Sequence, residues 1–423
     1  MDDTRVEDAA EESAEELGLP ERLPPLRLPL DDELAAAARR SAVLARVREL
    51  AVWVGERRAV TEEGDLTPAD TVAAAELLGI PVTGEPELAE VPELVLMWDL
   101  AEAVDLVVVG DEQAEANPDL WPTGDDAEDL GTWAAACVAL LASLALDADL
   151  AGEEELDFSA AGSFLLLMFL ARSQGTALTD IATATHELVT EHLDDPDTSW
   201  DAWVATHGHP ASVLLERLTD HGVLRVEDDM AYLTPLGLWF VQGELTEDGI
   251  DIPLLPPVDE LTAADVLAAV PGMTPAEWQE ELAAFLTTHE RAELLTAAVT
   301  AEPSGRVAAV AQLDSADPAW EAALEHRELR PYAQANLGIA GEPVDLAWRL
   351  VDTIAATADV FGAYDPEVVA EQVAALDGQE YDVLAVAWRL PHPDTFDVLS
   401  LIGTHHPDKK LAKAARTAAH KAR

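Results

Sequence analysis

Apolar residues recur along most of this chain at spacings of three and four, with only short stretches of alternation, so the pattern predicts a mainly α protein. From Glu33 one helix is expected through "LAAAARRSAVLARVRELAVWV" to near Gly55, with Arg39, Arg40, Arg46 and Arg48 on its polar side as a local basic patch. Ala59 to Thr61 then reads as a strand, Gly64 as a turn, Thr67 and Pro68 as a helix start, and Gly79 as its stop. A helix from Glu93 to Ala103 runs into a strand over Asp105 to Val109, and "EQAEANPDLWPTGDDAEDLG" reads as loop and linker. Helix, helix, strand and wing is the order of a winged helix.

The same order returns after two helices expected over Phe158 to Arg172 and Leu178 to His192. In "HPASVLLERLTDHGVLRVEDDMAYLTPLGLWFVQG", Pro210 starts a helix and Gly222 stops it. "VLRVE" and "AYLT" form a hairpin around Asp228 and Asp229, and Pro235 opens a closing helix. "DIPLLPPVDELT" marks a boundary, beyond which nearly everything is helical. There "AVAQL" at Ala309, "AWRL" at Ala347 and "AWRL" at Ala387 recur about 38 to 40 residues apart, a period that suits stacked helical pairs as well as a plain bundle.

The fold class expected is therefore mainly α. It comprises a mobile acidic and proline-rich tail over 1–30, a winged-helix-like module over 31–112, a linker over 113–130, and a helical plus winged-helix-like module over 131–250. A helical-repeat-like (HEAT-type) or helical-bundle domain over 258–423 ends in a basic helix.

Composition changes what such modules can do. The 423 residues are 49% hydrophobic, enough for substantial cores, yet carry a formal net charge of −59. All four lysines, Lys409, Lys410, Lys413 and Lys421, fall in the last 15 residues with Arg416 and Arg423, whereas the rest of the chain sets 18 Arg against 83 Asp plus Glu. Such a field repels nucleic acid and anionic membrane from most of the surface and attracts basic partners or cations. Adaptation to high internal salt and a GC-rich genome both account for so few lysines. Cys137 is the sole cysteine, which excludes intrachain disulfides and cysteine-based zinc sites and reads as a buried small hydrophobe. The first residues carry no apolar signal region, and the longest apolar stretches, Trp133 to Leu146 and Phe158 to Ala171, fall short of a membrane span. A cytoplasmic protein without membrane contact is expected.

The stretches "LAVWVGERRAVTEEGDLTPADTVAAAELLGI", "LTPLGLWFV" and "IGTHHPDKKLAKAARTAAHKA" together resemble a group of actinobacterial proteins of unknown function. Some of these are joined to a plasmid open-reading-frame-three-like (transposon-passenger) domain, which this chain is expected to lack. The resemblance implies a cytoplasmic bacterial protein with winged-helix-like modules and supplies no catalytic residues.

Candidate chemistry is sparse. A DNA-reading winged helix offers basic or amide side chains from its second helix. Here "PELVLMWDLAEA" offers Glu93, Asp99 and Glu102, while "HPASVLLERLTDHG" offers only Arg217 against Glu216 and Asp220. In "HELVTEH", His186 and His192 are six apart and on different helix faces, so zincin geometry fails. "HGHP", with His207 and His209, reads as a helix entry. "DADLAG" from Asp147 lacks the fifth and twelfth calcium ligands, and "DPDTSWD" from Asp195 lacks the glycine. Phosphate-loop, dinucleotide and nucleophile-elbow motifs are missing from the sequence. The tryptophans, among them Trp348 and Trp388, read as core anchors. No enzyme activity, cofactor or metal is expected.

The last helix should open at Pro407 with Asp408 in its first turn. Lys409, Lys413, Arg416 and His420 then form one stripe, and Leu411, Ala415, Ala418 and Ala422 a narrow apolar face. Three uses compete for the stripe: a cap docked on the chain's own acidic body, a phosphate contact, or a contact with an acidic partner or the next protomer. The function expected is a non-enzymatic interaction or scaffold protein acting on a protein partner, with mimicry of DNA as a variant. The alternative is a DNA-associated transcriptional regulator that uses the winged modules and the basic helix.

Overall fold

The computed structural model describes residues 23–151, 156–193, 196–361 and 366–423. Residues 1–22 of the acidic tail, Gly152 of the first calcium-loop candidate and Asp195 of the second lie outside the described residues. The protein is mainly α and forms two compact units, one over 28–247 and one over 248–423 that includes residues 23–27.

The unit over 28–247 starts with two helices, α1 (Asp31–Ala38) and α2 (Ala42–Val54), where the periodicity predicted one. Ser41 breaks them. Its hydroxyl accepts the backbone N–H of Leu44 at 3.2 Å, which makes it an N-cap in the middle of an apolar pattern. The basic patch expected here is also corrected, because three of its four arginines are spent on internal partners, with Arg40 left exposed. Arg39 pairs with Asp126 at 2.7 Å and Asp129 at 2.6 Å, Arg46 with Glu93 at 2.8 Å, and Arg48 donates to the Trp121 carbonyl at 2.7 Å.

Strand β1 (Arg58–Ala59) and helix α3 (Pro68–Leu78) follow. Thr67 caps α3 by accepting from Asp70 N–H, and Gly79 closes it in the left-handed region at φ 71°. Helix α4 (Pro92–Ala103) leads to β2 (Val107–Val109) and β3 (Gln113–Ala116), which pair antiparallel in the order β1-β3-β2. The central strand thus comes from the stretch read as linker. "QAEA" contains no β-branched or aromatic residue, so its sequence carries no strand signal.

Helix α5 (Asp126–Ala151) is the longest of the described helices. By length and composition its Asp126–Ala145 stretch reaches what a membrane crossing needs, which the sequence reading did not give it. Trp133, Cys137, Leu140 and Leu144 on this helix are buried within the unit. At its start Asp129 is buried, which pushes its pKa up. Hydrogen bonds from Thr123, Arg39 and Gly124 outweigh that and hold the carboxylate below its usual range.

A 3₁₀ segment (Phe158–Ser163) precedes α6 (Phe164–Leu170), β4 (Thr176–Ala177), α7 (Leu178–Thr190) and α8 (Pro196–His207). Then come α9 (Pro210–His221), β5 (Leu224–Glu227), β6 (Met230–Leu233) and α10 (Pro235–Glu247). The second sheet runs in the order β4-β6-β5. Asp228 and Asp229 form the two-residue turn between β5 and β6 at φ 50° and 63°, the mirror-image geometry that matches strand twist and that aspartate tolerates. At Gly237 an added Cβ would collide with the Val223 carbonyl, so α10 approaches the chain just before β5 only because this position is glycine.

The polar centre of this unit joins α2, α5 and α9. His221 Nδ1 accepts from the Ser41 hydroxyl at 2.9 Å, and its Nε2–H donates to the Trp133 carbonyl at 2.9 Å. That proton assignment follows from the partners: the Ser41 oxygen already accepts from Leu44, and a carbonyl can only accept. Trp133 Nε1–H returns a bond to the His221 carbonyl at 2.9 Å, and the two rings stack with centroids 4.6 Å apart.

The second unit begins with Leu23 to Arg27, expected to be mobile and instead held against it. Leu26 pairs in parallel with Leu254, and the Arg27 guanidinium bonds Glu281 and the Pro256 carbonyl. The helices α11 (Ala263–Ala268), α12 (Pro275–Phe285), α13 (Arg291–Ala298), α14 (Pro303–Ala311) and α15 (Ala319–Ala323) come first. Helices α16 (Arg330–Asn336), α17 (Pro343–Phe361), α18 (Pro366–Ala374), α19 (Glu380–Ala387), α20 (Thr395–His405) and α21 (Lys409–Ala422) complete it. Reciprocal capping boxes, Thr262 with Asp265 and Thr274 with Glu277, start α11 and α12. One apolar cluster gathers around Trp278, Phe285, Leu294 and Trp320, the other around Val351, Ile354, Val383, Val398 and Leu399. Ala347 and Ala387 of the two "AWRL" copies are fully buried, whereas Ala311, the position of "AVAQL" that matches them, is exposed.

A buried carboxylate ties the two clusters together. Asp352 on α17 accepts from Arg306 at 2.5 Å, from the Tyr332 hydroxyl at 2.6 Å and from His392 Nε2 at 3.0 Å. Arg306 Nε also donates to the Ala298 carbonyl at 3.1 Å, and burial together with the Asp352 charge raises the Tyr332 pKa well above its ordinary value.

Candidate functional site

The site that the lysines mark is built on the last helix. Asp408 is the N-cap of α21: its carboxylate accepts the backbone N–H groups of Lys410 at 2.7 Å and Leu411 at 3.3 Å, and these bonds hold its pKa below the usual range. The sequence put Pro407 at the helix start and Asp408 two positions further in than the N-cap it occupies. Ala415, Ala418 and Ala419 pack into the second apolar cluster, and Ala412 is buried near them. Helix α21 therefore docks by its alanines. Among the described residues no lysine forms an ion pair with the chain's own carboxylates, contrary to the docking of the basic stripe on the body.

Close approach of α20 and α21 depends on Gly403. A Cβ there would lie 2.6 Å from Arg416 Cγ and 3.1 Å from its backbone nitrogen, and Arg416 donates to the Gly403 carbonyl. Gly403→Val should cost about 1–3 kcal/mol through overpacking. Faster hydrogen exchange across 409–422 is the readout, and unchanged protection there would show that the helices adjust freely.

Lys410, Lys413 and Lys421 face a groove between α19 and α21 of about 370 Å³, walled opposite by Tyr381, Leu384 and Trp388. Tyr381 is half exposed. Trp388 is half-buried against the apolar cluster, donates its indole N–H to the Ala385 carbonyl at 3.0 Å, and carries two cations over its ring. Arg389 Cζ lies 4.6 Å and Lys421 Nζ 5.7 Å from the ring centroid.

Of the stripe read from the sequence, only Lys413 lines this groove. Lys409 and His420 are exposed outside its lining, and Arg416 turns back to Gly403. Sequence reading missed Lys410, Lys421, Tyr381 and Trp388. Trp388 was expected in the core like its repeat counterpart Trp348, which is 4% exposed. The helical spacing of Lys410, Lys413 and Lys421 was visible, but nothing local to it says that α19 lies alongside.

The two helices that a DNA-reading module would offer are also on view. Leu94, Val95, Leu96, Met97 and Trp98 make α4 a core helix, and burial with the nearby Asp65 charge lifts the Asp99 carboxyl to about 6. On α9 the one basic side chain, Arg217, is drawn inward to Asp147 at 2.8 Å and Ser143 at 2.5 Å. His207 stacks on Trp203, and Trp200 stands edge-on between His186 and His209. Among the described residues no three His, Cys, Asp or Glu side chains gather as a metal-ligand set.

Comparison with known proteins found no matching family model, no matching curated protein and no matching solved structure.

Proposed function

We propose that this protein works by binding rather than by chemistry, and that the lysine groove of the C-terminal unit is its recognition surface for an anionic partner. One contrast carries this: many arginines of the body are committed to internal carboxylates or carbonyls, whereas among the described residues the lysines form no ion pair, and three of them converge on one aromatic-walled groove. Cations without carboxylate partners beside a half-exposed aromatic wall are the composition of a contact surface. The groups with the most displaced titrations, His221, Tyr332 and Cys137, are sealed in cores, which supports packing roles for them.

In this proposal the unit over 28–247 carries two degenerate winged-helix-like modules used as scaffold, and the unit over 248–423 is helical-repeat-like. The burial of α4 and the inward turn of Arg217 speak against DNA reading by the modules. A DNA-associated role would have to run through α21 alone, against the field of 83 carboxylates.

The test is fluorescence anisotropy of labelled poly-glutamate and labelled duplex DNA with the full chain, across a salt series. The comparison protein carries Lys410→Gln, Lys413→Gln and Lys421→Gln together. Anion binding that weakens steeply with salt and is lost in the triple variant is expected, with a log–log salt slope shallower by roughly one per lysine engaged. Failure of both polyanions to bind at any salt would overturn the proposal, as would binding that the triple variant retains.

A further inference from the structure

Resting on the anion-binding role proposed for the groove, we infer that its partner is an amphipathic helix with carboxylates along one edge, not a nucleic acid. The three lysines lie within one sector of α21, about 80° wide. At 1.5 Å rise per residue, Lys413 lies about 4.5 Å beyond Lys410, and Lys421 about 12 Å further along the axis. A second helix laid alongside, with acids at matching intervals of about one and then two turns, repeats that spacing.

The two walls of the groove differ, and the difference selects the ligand. On the α21 side stand the ammonium groups. The α19 side presents Leu384, Ala385 and Trp388, and Tyr381 at its start is flanked by Glu380 and the exposed Asp382. A strand of phosphates, negative around its whole circumference, would turn charge to this apolar wall and pass near the carboxylates at the start of α19, which lie outside the groove lining. An acidic-edged helix turns its charge to the lysines and its small apolar side chains to Leu384 and Trp388, which is the helix-in-groove mode of recognition. Base stacking is disfavoured on the same wall, because Trp388 is half-buried on the cluster and Arg389 and Lys421 sit over its ring, so a base would have to displace a cation. Neutral Ala414 and Ala418 line the floor of the groove and leave room for a neighbouring helix to approach.

The probe is a labelled peptide of about five helical turns with glutamates on one edge and alanine and leucine beside them. It is compared with a scramble of identical composition, poly-glutamate of equal charge, and a single-stranded oligonucleotide of equal charge. Anisotropy with the full chain should show the amphipathic peptide binding about tenfold tighter than any comparator. Binding should be lost in the triple lysine-to-glutamine variant, a fall of well over about tenfold, and should weaken severalfold in Trp388→Leu. Glutamine keeps the helix propensity of lysine, so protection of 409–422 in hydrogen exchange should be unchanged in the triple variant. Equal binding of the scramble or of poly-glutamate would overturn the helical partner while leaving the groove an anion site. Tighter binding of the oligonucleotide would overturn it in favour of nucleic acid. Absence of binding by every probe would overturn this inference and the proposed function together.

Discussion

Replacing Asp352 by alanine should destabilise the C-terminal unit by about 3–5 kcal/mol, the range found when one member of a buried ion pair is removed. Asp352 is fully buried and is the common acceptor for Arg306, Tyr332 and His392, so one truncation strands three donors. Arg306 suffers most. Its side chain is 8% exposed, and without Asp352 its guanidinium keeps only the Ala298 and Ala301 carbonyls while its charge stays uncompensated. Asp352→Asn should cost less, because the amide oxygen still accepts one bond and the shape is kept, although it also brings donors into a place built for acceptors. The informative control is Asp352→Leu with Arg306→Met, which removes both charges and should recover much of the loss. Denaturant unfolding of the three variants, read by hydrogen exchange in α14 and α17, makes the comparison. A loss below about 1 kcal/mol for Asp352→Ala would mean that water or rearrangement replaces the carboxylate.

Much of the local framework was legible because it is written in caps. Thr67 with Pro68, Pro210 with Gly222, Pro235, and the Asp228–Asp229 turn all act within a few residues of themselves, and each stands where the sequence put it. What escaped is set by partners far along the chain. The break at Ser41 lies in a continuous helical pattern, and its buried hydroxyl meets His221, 180 positions away. Most of the apparent basic patch vanished for the same reason, since Arg39 finds Asp126 and Asp129 only after folding. Strand β3 is held by two neighbouring strands rather than by its own composition. The groove was half legible: lysine spacing along α21 is a sequence property, but the aromatic wall belongs to α19, and whether Trp388 faces core or groove depends on where that helix packs.

Stability of the unit over 28–247 should fall by about 3 kcal/mol between pH 6.5 and pH 4 through His221 alone. Burial lowers the pKa of this imidazole from 6.5 to about 4, partly offset by its bond to the Trp133 carbonyl. In that window the unfolded chain takes up a proton at position 221 and the native chain does not, so unfolding is favoured by acid. The contribution is fully present above the unfolded pKa and is lost as pH falls through the folded one. The cause is geometric: Nδ1 already accepts from Ser41, so a second proton would set two donors facing each other in a dry site, with Trp133 stacked on the ring. Acid acts the other way on the rest of the molecule, because neutralising part of 83 carboxylates relieves self-repulsion, so the His221 effect must be read as a difference. Unfolding free energies of the native chain and of His221→Gln at matched pH, from exchange rates in α5 and α9, supply that difference. The variant should be less stable at pH 7 and should lose less on acidification. The His221 ring protons should show no titration step near pH 6.5. A step there, or parallel pH profiles for the two proteins, would show that the imidazole protonates in place and that the three-helix junction yields to acid without unfolding.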